Sequence, residues 1–242
     1  PDQFSLTEER KLMEHIKNKS VVNVEVITLS RMAYRVLNEV GEEKKNLSKC
    51  GRAMMIYSIL NNNKEKLKLL GKSDENVDLG MQVIAELKKH GITIKKLEEE
   101  IENIENPYLK IKLTDVLVIY KNFEERIINN YIDENDILTK LVNNIEKTNF
   151  VTDSIIYIDE FSGFTIQEYE VIKKLVKLAK QVNITICIDN KELDTNPDID
   201  IYYSNKVTLA KIIKLAKENN FEIEEFVELK EQYRFKSEEL KS

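Results

Sequence analysis

Residues 155–169, Ile-Ile-Tyr-Ile-Asp-Glu-Phe-Ser-Gly-Phe-Thr-Ile-Gln-Glu-Tyr, leave the chain the fewest ways to fold. Ile155 to Ile158 is a short, β-rich apolar run, the pattern of a parallel strand buried on both faces. Asp159 and Glu160 fall at its carboxyl end, where open α/β sheets take ligands. Thr165 with Glu168 three residues on has capping-box spacing, so a helix should follow. One helix later comes a second apolar run, Ile184 to Ile188, ending in Asp189. Strand, helix, parallel strand is a βαβ unit with a right-handed crossover, which places this part of the chain in the α/β class.

A strand that delivers Asp-Glu to a loop suits a nucleotide hydrolase. Asp159 would bind Mg²⁺, usually through water, and Glu160 would polarise the attacking water. The plainer reading is that two acids end a strand and solvate a loop.

The 242 residues suit one large domain or two small ones. Hydrophobic content of 42% and charged content of 33% describe a globular protein with many exposed helices. Three prolines and six glycines argue against long irregular linkers. No apolar run approaches membrane-span length and no signal peptide is recognisable, so a cytoplasmic location is expected. Cys50 and Cys187 are too isolated for a disulfide framework or metal cluster, and Cys187 is expected inside a buried strand. His15 and His90 fall in polar helical surroundings, which disfavours a His-based metal or nucleophile site. A net charge of −6 argues weakly against bulk electrostatic capture of nucleic acid, though not against a local basic stripe.

In chain order, Ser5 or Thr7 can cap a first helix that carries Glu8 and Glu9 in its first turn. Val21 to Thr28 reads as a strand, and Ser30 as the cap of a helix with Met32, Ala33, Val36 and Leu37 on its apolar face. Thr28, Ser30, Tyr34 and Arg35, with Arg31, then form a backbone-binding corner. Hydroxyls and arginines would meet phosphate, and the tyrosine would stack on a base. A capped helix with ordinary surface arginines fits this stretch equally well. From Gly41 to about Phe150 strand-like runs vanish and helical periodicity takes over, with turns at Gly71, Gly91 and Pro107. This is an all-helical insertion of about a hundred residues between two parts of one α/β domain. Further on, Ile201-Tyr-Tyr reads as a short strand, 208–219 as a helix with Leu209, Ile212, Ile213 and Leu215 buried, and Phe221 to Leu229 as an edge strand.

Several stretches, in order, resemble the first motor domain of UvrD-type superfamily 1 helicases. Residues 28–37, Thr-Leu-Ser-Arg-Met-Ala-Tyr-Arg-Val-Leu, resemble that family's single-strand-contacting segment, and 131–138, Tyr-Ile-Asp-Glu-Asn-Asp-Ile-Leu, its Asp-Phe-x-Asp-Leu-Leu segment. Ile158 to Phe161 resembles the metal-binding Asp-Glu motif, Ile188-Asp189 the start of Gly-Asp-x-x-Gln, and Gln232-Tyr-Arg-Phe235 the Asn-Tyr-Arg-Ser motif. The opening Pro-Asp-Gln-Phe, Leu47-Ser-x-x-Gly-Arg-Ala-Met54 and Gly163-Phe-Thr-x-x-Glu168 are similar to AddB, the second subunit of bacterial AddAB helicase–nucleases.

The resemblance implies a RecA-like P-loop NTPase-type parallel sheet, domain 1A, lacking its first strand and phosphate loop and interrupted by an all-helical 1B insertion. Residues 1–44 and 149–242 would be the two parts of 1A, and 45–148 the insertion. It implies nucleotide contacts by Gln3 and Arg234, a vestigial or incomplete catalytic pair in Asp159 and Glu160, and Asp159 as metal ligand. It further implies ATP and Mg²⁺ in the intact protein, and an iron–sulfur cluster only downstream of these residues. DNA, as single strands and double-strand ends, and an AddA-type motor subunit would be the partners, in double-strand-break repair by homologous recombination.

Three departures bear on activity. Family motors carry Gln after Asp-Glu-x, and Ser162 stands there. No Gln follows Asp189 within Asn-Lys-Glu-Leu-Asp. A side chain without the amide and reach of Gln cannot make the contact that couples nucleotide to DNA. No Gly-x-x-x-x-Gly-Lys-Ser/Thr occurs, and the family places it upstream of Pro1, so a piece of a longer protein is expected. The reading is therefore a DNA-binding scaffold region that does not step. An active UvrD-like motor and a pure protein-interaction module, with the insertion docking a partner, stand as alternatives.

Overall fold

The chain leaves for its helical insertion and returns from it through a neck of two short parallel strands, β1 (Lys45–Asn46) and β2 (Tyr131–Ile132). The computed structural model describes residues 5–15, 24–72, 76–159, 161–190, 192–193, 197 and 199–229. Gln3, Glu160 and Arg234 lie outside them. The described residues fall into two units divided after Cys187.

In the first unit, α1 (Ser5–His15) and α2 (Leu29–Glu39) precede the neck. The insertion contains α3 (Lys49–Asn62), α4 (Asn76–Lys89), α5 (Ile94–Glu102) and α6 (Pro107–Ile127). Its helices start where side chains satisfy free backbone N–H groups. Ser48 accepts from Gly51, Thr93 from Lys96, and Asn106 from Tyr108 and Leu109 with Pro107 as first helical residue. Gly91, at φ +62°, ends α4 with paired bonds from Gly91 N–H to Lys88 O and Ile92 N–H to Leu87 O, a Schellman geometry. The helices enclose a core centred on Ile56, Ile59, Ile84, Ile119 and Phe123. Asp115 of α6 is buried there and accepts the backbone N–H groups of Lys68, Leu69 and Leu70 at 3.0, 2.7 and 2.9 Å, pinning the α3–α4 connection.

A second core joins α2, α7 (Ile137–Asn144), β3 (Ile155–Ile158) and α8 (Ile166–Leu178). Met32, Ala33, Val36 and Leu37 of α2 face Ile137, Leu141 and Ile145, and Val171, Ile172 and Leu175 of α8 complete the layer. α7 thus shares its core with α2 and α8, not with α3–α6, although it falls inside 45–148. β3 pairs in parallel with β4 (Gln181–Ile184), Ile155 opposite Gln181 and Ile158 opposite Ile184. The βαβ unit expected from the sequence is present, and the chain is α/β with small parallel sheets.

Several expectations are corrected. Residues 24–28 pair with no strand among the described residues, and they lead extended into α2, whose cap is Thr28 and not Ser30. β3 is not buried on both faces, because Ile155 and Tyr157 are exposed while Ile158 is buried. β4 starts at Gln181, three residues early, since α8 ends at Leu178 and Lys180 N–H bonds at once to Ser154 O. The ladder stops with Thr185 N–H on Ile158 O, which leaves Cys187 exposed rather than buried in a strand.

In the second unit, α9 (Tyr203–Glu218) begins where a short strand was expected. Leu209, Ile212, Ile213 and Leu215 are half-buried, and the buried residues of α9 are Lys206, Thr208 and Ala216. Residues 221–229 form no strand. No helix among the described residues is long and apolar enough to cross a membrane.

Candidate nucleotide and nucleic-acid sites

β3 ends in an exposed carboxylate. Asp159 accepts a hydrogen bond from the hydroxyl of Thr185, which stands just past the end of the neighbouring strand. Parallel pairing brings the two ends together, because Ile158 lies opposite Ile184. The following loop is backed by aromatic rings. Phe161 stacks on Phe164 at 4.9 Å, and Phe164 meets Tyr169 edge-on at 5.5 Å. The loop then enters α8 through the expected capping box, with Thr165 N–H on Glu168 Oε2 at 2.7 Å and Glu168 N–H on Thr165 Oγ1 at 3.3 Å. Ser162 is exposed in this loop. Among the described residues no group of three His, Cys, Asp or Glu side chains is set to hold a metal ion.

The second expected site is the polar side of α2. The Thr28 hydroxyl accepts the Arg31 N–H at 3.2 Å and remains free to donate. Ser30 is half-buried. Tyr34 is half-buried against the second core, and burial, with Glu134 nearby, pushes its phenol pKa up, so it stays neutral. Arg35 is exposed; its guanidinium pairs with Glu25 and lies 4.4 Å over the Phe150 ring. Arg31, one turn earlier, is exposed and has no ion-pair partner among the described residues. Thr28 and Asp159 therefore stand on elements of one core, since α2 and β3 both pack into it. Asp189 lies in the other unit.

Sequence reasoning missed two buried lysines and a buried arginine. Lys88, with its side chain 3% exposed, meets Glu124 at 2.6 Å, Asp136 at 2.6 Å and Asp133 at 3.0 Å, and sits 5.3 Å from the Phe123 ring centre. Arg52, 7% exposed, meets Asp133 at 2.7 Å and Glu134 at 2.9 Å. Burial works to lower the Lys88 pKa, but Asp136, Asp133 and Glu124 overcome it and raise it, so this ammonium stays charged. Burial raises the pKa of Glu124 and Asp136, with Lys88 opposing. In the second unit Lys206, 1% exposed, meets Asp189 and Asp200, each at 2.8 Å. Asp189 thus binds an internal cation. A signal existed in the helical phase: Lys88 follows Gly80 and Ile84 at four-residue steps, and Arg52 precedes Ile56 and Ile59. A cation in phase with an apolar stripe must either be buried with partners or reach out to solvent.

The family model described as ADDB, N-terminal matches residues 1–242. Proteins named as subunits of an ATP-dependent helicase/deoxyribonuclease are similar to this chain. The one from Clostridium botulinum (strain Langeland) is 35% identical over 95% of the chain, and the one from Clostridium kluyveri (strain NBRC 12016) 36% identical over 98%. That of Caldanaerobacter subterraneus subsp. tengcongensis is 36% identical over 95%. The chain spans about a fifth of the length of these relatives, 20%, 21% and 20% respectively.

Proposed function

The chain belongs to the ADDB N-terminal family, and from that premise we propose that it is the helicase-like N-terminal region of an ATP-dependent helicase–nuclease subunit, one that engages DNA and scaffolds the complex without stepping. The observation that carries this reading is the shared core of α2 and β3. The helix that displays Arg31 and Arg35 and the strand that delivers Asp159 are held in one packed body. A phosphate-binding edge and a nucleotide-side acid so tied are what a split RecA-like domain 1A requires, with the helices after the neck as its 1B insertion.

Arg31 and Arg35 would meet the phosphates of a single strand, Thr28 and Ser30 would donate hydroxyl hydrogen bonds to it, and Tyr34 would flank a base. Among the described residues of its loop, Asp159 supplies one exposed carboxylate, in keeping with the one or two that a phosphate-bound Mg²⁺ takes. That ion, when bound, would neutralise phosphate charge. Gln3 and Arg234 would contact the nucleotide. Loss of stepping rests on Ser162 and on the absence of Gln after Asp189, whose carboxylate meets Lys206. The whole protein would act with an AddA-type motor subunit in double-strand-break repair by recombination, with nuclease chemistry and an iron–sulfur cluster outside these residues.

The test uses the intact subunit in complex with its partner. Replacing both Arg31 and Arg35 with Ala should weaken single-strand binding and reduce the slope of log K against log salt by about one for each phosphate no longer neutralised. Unchanged affinity and slope would remove the DNA-binding reading. DNA-stimulated ATP turnover by this subunit, with the partner's own ATPase disabled, would instead mark an active motor.

A further inference from the structure

The neck between the two cores of the first unit is built in an unusual way. Two-residue strands joined by few backbone bonds would by themselves make a hinge: Lys45 N–H reaches Asn130 O at 3.2 Å and Leu47 N–H reaches Ile132 O at 2.8 Å. Yet the turn that follows β2, Asp133 to Asp136, receives side chains from both cores. From the insertion come Arg52 of α3 and Lys88 of α4, and Lys88 also binds Glu124 of α6. From the second core, Gln167 of α8 donates to Asn135 O at 2.8 Å and to Thr139 Oγ1 at 3.0 Å. A second touch lies nearby. A Cβ added at Gly91, in the α4–α5 turn, would stand 3.6 Å from the Ile166 methyl at the start of α8. Lys140 of α7 also reaches back to Glu42, before the neck.

We propose that the Asp133–Asp136 turn is a lock that holds the helical insertion at one fixed angle on the α2/α8 core, with Lys88 as the residue that closes it. The physical case is burial. Asp133 has 0% of its side chain exposed and Lys88 3%, so neither can exchange its partner for water. Opening the neck would strand a buried carboxylate and a buried ammonium, which is far more costly than breaking an exposed pair. Two insertion helices, α3 and α4, reach this one turn, and α6 holds Lys88 through Glu124, so the turn resists rotation about the strand axis, as one bond alone would not. Gln167 stands two residues after the cap of α8, so the same lock references the insertion to the loop that carries Asp159. The insertion and the acid-bearing sheet then move as one body. Nothing in this lock depends on which nucleic acid or nucleotide is bound.

The test is a distance distribution in the intact subunit in complex with its partner. Spin labels are placed by non-cysteine chemistry at exposed Glu99 of α5 and Glu170 of α8, since Cys50 and Cys187 are exposed. The unmodified lock should give one narrow distribution that does not shift on adding single-stranded DNA or Mg²⁺-nucleotide. Lys88→Met and Asp136→Asn should each broaden it at least twofold, while hydrogen exchange in the middle of α6 stays unchanged. If Lys88→Met disturbs α6 exchange, Asp136→Asn decides alone. A broad or ligand-shifted distribution with the lock intact, or a narrow one in Asp136→Asn with α6 intact, overturns the proposal.

Discussion

At the neck, side chains from α3, α4, α6 and the Asp133–Asp136 turn bury their charges against one another. At the carboxyl end of β3, by contrast, Asp159 is exposed and its described partner is one hydroxyl. Acids are plentiful in both places. The neck has paired its carboxylates with buried cations, and Asp133 among them is fully buried. The β3 end and the outer edge of α2 keep charge facing solvent. The contrast separates acids that hold a fold together from acids that remain available for binding. Sequence alone does not make that separation, because both stretches carry adjacent or near-adjacent acids after a short apolar run.

The largest effect should come from breaking the buried set. Lys88→Ala is expected to destabilise the first unit by about 3–5 kcal/mol, the cost of leaving buried charge unpaired; urea denaturation followed by far-UV circular dichroism measures it. A loss under about 1 kcal/mol, the range of an exposed pair, would mean that water enters the neck freely. Next is Asp115→Ala, which strands the backbone donors of residues 68–70 and should cost on the order of 1–3 kcal/mol. Faster hydrogen exchange confined to those amides is its signature. Thr165→Ala removes one arm of the capping box at the exit of the acid loop and should cost about 1 kcal/mol, with fraying limited to the first turn of α8. At the exposed end, Asp159→Asn should change stability by less than about 0.5 kcal/mol, as surface substitutions do. An Asp159→Asn cost as large as that of Lys88→Ala would mean that the two ends hold their acids alike.

Acid titration sharpens the contrast further. Burial alone would raise the Glu42 pKa, but the Lys44 N–H and the Lys140 ammonium turn the shift downward. A carboxylate whose folded pKa is depressed contributes stability above its ordinary pKa and loses it as pH falls through the folded value. Asp136 and Glu124 shift the other way, so their protonation relieves strain as pH falls. Lys140→Met should therefore return the Glu42 titration, followed by carboxyl-carbon NMR, toward the ordinary range and leave Asp136 elevated. A Glu42 titration that does not move would show that Lys140 has no hold on it.

Elements with a local code were legible in the sequence. The Thr165–Glu168 capping box, the apolar face of α2, the helices of the insertion and the strand at 155–158 follow from spacing over a turn or two. The errors lie where pairing over distance decides. Ile184 to Ile188 is as β-prone as β3, yet only its first residue belongs to the strand, because the ladder is set by Ser154 and Ile155 meeting residues 180 and 181. Residues 24–28 and 221–229 have strand-like composition but find no strand partner among the described residues. Thr28 rather than Ser30 caps α2, since the extended backbone of Thr28 puts its hydroxyl within reach of the Arg31 N–H.

The sequence by itself determined the family, the α/β alternation and the acid that ends β3, because motif order and short-range periodicity are written along the chain. Only the tertiary structure decided which charges are shared. Lys88 and Asp133 are 45 residues apart, and Arg52 and Glu134 are 82 apart. No local pattern joins them. They meet because the chain returns to its own neck and burial then obliges each charge to find an opposite one.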